Sequence, residues 1–141
     1  YPDPASEIAI LKDRQGANPL NDVKQVVDGK DIVMMQEETD NLHMDDAIIE
    51  YITMLSFATR QNPLIELGVS PRGSIALAGM SKAKAYISGR TYVTPEDVQS
   101  IFKDVAGHRI ILNPRAKISS VTIDEVIDNI FRTVPVPRAM R

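Results

Sequence analysis

The sequence predicts a mainly α fold, a helical bundle with at most a short strand-like segment near residues 109–112. Three observations carry that prediction. Apolar residues recur at helical spacing along most of the chain, as in Ile48, Tyr51, Ile52, Leu55 and Ala58. Helix-start signals are complete at Ser70-Pro71, Thr94-Pro95 and Thr122-Ile123-Asp124-Glu125. Strand patterning is confined to Arg109-Ile110-Ile111-Leu112, too short and isolated to found a sheet.

Taken in chain order, Asp3-Pro4 opens a first helix carrying Ile8 and Leu11. Residues Gln15 to Lys30 hold two glycines, a proline and two asparagines and read as a loop. A short helix follows near Asp31–Asp40. The next runs from about Asp45 to Arg60, its first acids placed where the positive end of the helix dipole favours them. The helix begun by Ser70-Pro71-Arg72 has Ala76, Met80, Ala83 and Ile87 as its expected buried stripe. Gly89 is placed to end it. Its small residues, Ala76, Ala78, Gly79, Ala83 and Ala85, suit a closely packed neighbour. Thr94 should cap a helix burying Val98, Ile101, Phe102 and Val105, with Val93 and Val98 at staple spacing. Thr122 and Glu125 stand at capping-box spacing before the stripe Ile123, Val126, Ile127 and Ile130. Pro135 and Pro137 mark the end of the packed region. The expected organisation is an arm with linker helices over 1–44, a helical domain over 45–137 and a tail over 138–141.

Composition bounds the function. At 43% hydrophobic and 25% charged, the 141 residues match a soluble globular domain and exclude a disordered polymer. With no cysteine, thiol catalysis, cysteine-zinc sites and disulfide frameworks are out. His43 and His108 do not make a histidine-rich metal centre. No apolar run is long enough to span a bilayer, and no signal peptide is visible. A cytoplasmic location is the expectation. The first residue is Tyr1 rather than methionine, so the chain reads as a piece of something longer. Charge is uneven: residues 1–69 sum to −8 and residues 70–141 to +5. Such asymmetry suits a surface that meets anions or acidic partners, or simply two solvated faces of unlike sign.

The catalytic motifs that are missing are informative. There is no phosphate-cradling G-x-x-x-x-G-K-[ST], since Gly29-Lys30 lacks both the upstream glycine and the following hydroxyl. No dinucleotide fingerprint, nucleophile elbow or H-E-x-x-H occurs. Asp45 and Asp46, adjacent on a helix, point in different directions and read as capping residues rather than an acid–base pair. His43 and His108 lack sequence neighbours of a second catalytic type. Arg72 is the exception to ordinary helix chemistry: a cation in the first turn opposes the dipole, yet a planar, permanently charged fork beside a helix start suits phosphate. Its alternative is a surface arginine paired with an acid such as Glu66. Lys82, Lys84 and Arg90 form a basic cluster that permits a nucleic-acid-binding module, although net acidity and 5% aromatic content argue against one. A stand-alone helical protein-interaction module is the other alternative.

Gly68-Val69-Ser70-Pro71-Arg72, Tyr92-Val93-Thr94-Pro95-Glu96-Asp97-Val98, His108-Arg109-Ile110-Ile111-Leu112-Asn113-Pro114 and Val134-Pro135-Val136-Pro137 occur in that order. Upstream stand Tyr1-Pro2, Asn18-Pro19-Leu20 and Met44-Asp45-Asp46-Ala47. Together they resemble the C-terminal portion of a MoxR-type AAA+ ATPase, over almost the whole chain. The resemblance implies a helical lid that follows a P-loop α/β core and clamps nucleotide against it. Arg72 is similar to the sensor-2 arginine, which reaches the γ-phosphate of ATP. The phosphate-binding lysine and magnesium-binding aspartate of the family have no counterparts here and would lie upstream. The chain alone is therefore expected to be inactive, with ATP and Mg used by the full-length protein. The resemblance further implies a homo-oligomeric, hexameric ring, chaperone-like work on partner complexes, and a partner bearing a von Willebrand factor A domain.

Overall fold

A computed structural model describes residues 1–16 and 18–137; the expected 138–141 tail lies outside the described residues. The elements are α1 (Pro4–Asp13), a 3-10 turn (Pro19–Asp22), α2 (Gly29–Asp40), α3 (Asp46–Gln61), β1 (Ile65–Leu67), α4 (Pro71–Ile87), α5 (Pro95–Ala106), a second 3-10 turn (Gly107–Arg109), β2 (Ile111–Leu112), α6 (Pro114–Ile118) and α7 (Ile123–Thr133). The chain forms two compact units, Tyr1–Met34 and the residues from Met35 onward.

Among the described residues of the first unit none is buried. Helix α1 begins as expected: the Asp3 side chain accepts from the Ser6 N–H at 2.7 Å, and Pro4 takes the first helical position. Its Ile8 and Leu11 remain exposed. The expected loop is shorter than Gln15–Lys30, because Asp28 caps α2 and starts it at Gly29. Asp28 accepts from the Lys30 and Asp31 N–H groups, and Asp31 accepts from the Asp28 N–H.

The second unit is built on α3, α4, α5 and α7. Leu55, Leu77, Val98, Phe102 and Ile127 are buried at its centre, and Phe102 meets Phe131 edge-on with centroids 5.4 Å apart. Ile48, Tyr51, Ile52 and Leu55 of α3, the four expected residues of α5, and Val126, Ile127 and Ile130 of α7 are all buried; Ala58 and Ile123 are partly so. Among the described residues Val134 is the last that is buried, just ahead of Pro135.

Two expectations are corrected. Helix α4 buries Gly73, Leu77, Ser81 and Ala85 instead of Ala76, Met80, Ala83 and Ile87; Met80 and Ile87 are exposed. The two long side chains, Met80 and Ile87, stay outside, and three of the four residues on the observed contact line are small. A helix seated closely on its neighbours selects small residues at the contact line, and Ser81 satisfies its buried hydroxyl by donating to the Leu77 carbonyl at 2.8 Å. Of the small residues expected at the contact, Ala85 is fully buried, whereas Gly79 faces open space. The strand-like run is also not isolated. Its Ile111–Leu112 portion pairs antiparallel with Ile65–Leu67, with Ile65 opposite Leu112. No long-range pattern in the sequence announces a three-residue strand whose partner is more than forty residues away. The five-residue α6, capped by Asn113, was likewise without a periodic signal.

Candidate functional site: the start of helix α4

Residues Gly68 to Arg72 leave β1, cross the end of α3 and open α4. Ser70 is the N-cap and its Oγ accepts from the Gly73 N–H at 3.4 Å; Pro71 occupies the first helical position. Arg72 follows in the first turn and is exposed. Among the described residues no carboxylate lies within 4.0 Å of its guanidinium, so the pairing with Glu66 considered above is not formed. The first-turn amides contribute less to an anion site than a generic helix start. Pro71 has no N–H, Gly73 donates to Ser70 Oγ, and Ser74 donates to the Ser70 carbonyl at 3.1 Å. Charge at this helix end therefore resides chiefly in the Arg72 side chain.

The approach to Arg72 is held tightly by α3. Val69 is buried, with its N–H donating to Thr59 Oγ1 at 2.9 Å and its carbonyl accepting from Arg60 Nε at 2.7 Å. The Thr59 hydroxyl in turn donates to the Ser56 carbonyl at 2.6 Å, and Ser74 Oγ donates to Ser56 Oγ at 2.9 Å. Two glycines permit this approach. A methyl group on Gly68 would fall 2.8 Å from the Arg60 nitrogen, the Thr59 carbonyl carbon and Thr59 Oγ1. One on Gly73 would fall 2.6 Å from Val69 Cγ1 and 3.4 Å from Arg109 Cδ. Thr59 and Arg60 escaped the sequence reading because they sit at the end of an ordinary amphipathic helix, with nothing in their spacing to tie them to a loop further on.

The remaining candidates have structural roles. The Asp45 side chain caps α3 through the Ala47 N–H at 2.8 Å, and Asp46 is exposed in the first turn. His43 joins a parallel backbone bridge to Tyr92. His108 holds two neighbours. Arginine can only donate and a carbonyl can only accept, so Nε2 accepts from Arg109 while Nδ1–H donates to the Asp104 carbonyl at 3.0 Å. The basic cluster is dispersed into separate contacts. Lys82 Nζ donates to the Asp40 carbonyl at the end of α2, at 2.7 Å. Arg90 forms a two-pronged pair with Asp97, with N–O separations of 2.6 and 2.5 Å.

That pair shifts the titration of both its members. Burial alone would raise the Asp97 pKa, but Arg90 and the Thr94 backbone and hydroxyl donors overcome it and hold the carboxyl below its ordinary 3.8. The hydrogen bonds that Arg90 donates to Asp97 correspondingly raise the Arg90 pKa. The expected Thr94 start forms a capping box with Asp97, whose Oδ2 accepts from the Thr94 N–H at 2.9 Å and from its hydroxyl at 3.2 Å.

Among the described residues no helix is long and apolar enough to cross a membrane, and no group of three or more His, Asp or Glu side chains is disposed to hold a metal ion.

Comparison with known proteins agrees with this architecture. The model of the AAA lid domain family matches residues 57–130. The uncharacterized protein YeaC of Bacillus subtilis is 36% identical over 137 residues, covering 97% of this chain and 43% of YeaC. The chaperone MoxR1 of Mycobacterium tuberculosis is 30% identical over 147 residues, covering 98% of this chain and 38% of MoxR1. A crystal structure of a "putative ATPase" from Cytophaga hutchinsonii has a TM-score of 0.85 and 28% identity, over 98% of this chain and 44% of that one. The chain thus spans less than half the length of these relatives. It belongs to the AAA lid domain family, as the C-terminal lid region of a MoxR-type AAA+ ATPase.

Proposed function

We propose that the lid closes over ATP bound by an upstream P-loop core, with Arg72 reading the γ-phosphate. The observation that carries this reading is an exposed arginine with no carboxylate within 4.0 Å among the described residues, set on a helix start held by α3. A permanently charged planar donor of this kind fits phosphate oxygens, and the positive end of the α4 dipole adds to its attraction. In ATP hydrolysis, positioning and charge stabilisation do most of the catalytic work. Arg72 would supply part of that charge; the phosphate lysine and the magnesium ligands belong to the core. In this assignment residues 1–44 are the arm and linker, and residues 45–137 are the lid proper.

Lid rotation between nucleotide states would then pass the change to neighbours in a homo-oligomeric, hexameric ring. The relation to the chaperone MoxR1 supports a chaperone-like role, which we extend to assembling or maturing partner complexes. A von Willebrand factor A domain partner and a cytoplasmic location complete the proposal.

The test is Arg72→Ala in the full-length protein. Loss of a charged hydrogen bond to the transferring phosphate should lower ATP turnover about ten- to hundredfold, while the lid stays folded by circular dichroism. Unchanged turnover in a folded variant refutes the assignment.

A further inference from the structure

We infer that Thr59 and Arg60 are positioning residues for Arg72, acting through the Gly68-Val69 segment. The inference rests on the reading of Arg72 given above. It arises from an arrangement that lid packing alone does not require. Two successive residues at the end of α3 hold both polar atoms of Val69, Thr59 Oγ1 at its N–H (2.9 Å) and Arg60 Nε at its carbonyl (2.7 Å). Thr59 is fully buried, and its hydroxyl has its donor committed to the Ser56 carbonyl and its acceptor to Val69. It therefore holds a single orientation. Ser56 extends the grip by accepting from Ser74, on the first turn of α4. Arg72 lies between these two points of attachment, three residues after Val69 and two before Ser74.

Displacement of a contacting group by about 1 Å can cost as much as a hundredfold in rate. A helix start held on both sides confines Arg72 to one approach to its phosphate. It also makes α3 and the Arg72 turn move as one piece, so the reorientation of the lid reaches the nucleotide without slack.

The experiment is a double-mutant cycle on ATP turnover in the full-length protein, using Thr59→Val, Thr59→Ser, Arg72→Ala and the Thr59→Val/Arg72→Ala double variant. Thr59→Val preserves shape and deletes both hydroxyl bonds. It should lower turnover about tenfold, Thr59→Ser should restore it to within about twofold, and Thr59→Val should cost nothing further in the Arg72→Ala background. Normal turnover in Thr59→Val, beside a defective Arg72→Ala, overturns the positioning role and leaves the function of Arg72 standing. An equal loss in both backgrounds also overturns it, because Thr59 would then act independently of Arg72. Unchanged turnover in Arg72→Ala overturns the Arg72 reading and this inference together. If Thr59→Val does not fold, Arg60→Ala replaces it in the cycle, since it removes the second hold from an exposed position; the same additivity criterion decides.

Discussion

At the scale of single residues, the approach to α4 turns on an absent side chain. Gly68 passes within contact of the α3 backbone, where an added methyl would press on the Arg60 nitrogen and the Thr59 carbonyl carbon at 2.8 Å. Neither atom can yield without moving the helix. Gly68→Ala should therefore destabilise the lid by about 1–3 kcal/mol, through overpacking, and displace the bonds made by Val69. Gly79→Ala offers a matched comparison, because its Cβ would meet nothing within 4 Å and the change favours helix. Thermal melts of the two variants check this. If Gly68→Ala melts with wild type, the close approach does not constrain the loop.

Helix elements show where stability is gained locally and how much of the fold the sequence discloses. Starts at Asp3, Ser70, Thr94 and Thr122 were all legible, because a cap followed by proline or an acid is a local signal with a local cause. The buried face of α4 was not, since Ile75, Leu77, Met80 and Ile87 are spread around the helix, leaving no strong apolar side, and its packing line is chosen by neighbours. The same division holds at the site. Ser70-Pro71-Arg72 was readable as a rule broken within one turn, while the grip of Thr59 and Arg60 exists only after the chain folds back.

The Arg90–Asp97 pair, joining the region after α4 to the start of α5, makes an element-scale prediction. Asp97 is 3% exposed and Arg90 29%, so the pair is shielded on one side and wet on the other. Because its folded pKa is depressed, Asp97 contributes stability that is fully present above its ordinary value of 3.8 and lost as pH falls through the lower folded value. Asp97→Asn should cost about 1–3 kcal/mol at pH 7, by loss of a charged hydrogen-bonded partner. The gap in melting temperature between wild type and variant should hold from neutral pH to about 4 and close below it. A gap unchanged in acid would show that the ion pair does not supply the difference.

At the scale of the whole molecule, stability is distributed unevenly. Every buried residue among those described lies between Leu42 and Val134, and the first compact unit ends at Met34. Hydrophobic burial is the dominant favourable term in folding, so the cooperative transition should belong to the second unit. Removal of residues 1–27 leaves the Asp28 cap of α2 intact and, among the described residues, deletes no buried side chain. It should shift the melting temperature by less than about 3 °C, the effect of a few tenths of a kcal/mol in a domain of this size. Phe102→Ala, by contrast, opens a cavity among fully buried residues and should cost about 3–5 kcal/mol, enough to unfold a marginal domain. Calorimetry on the two variants separates the cases. A large loss on truncation would mean that the arm contributes to the cooperative unit, and the proposed division at 44/45 would then describe sequence motifs rather than a boundary in folding. A small loss would leave the arm free to act as the segment through which an upstream core and the lid change their relative orientation, without drawing on the stability of the lid itself.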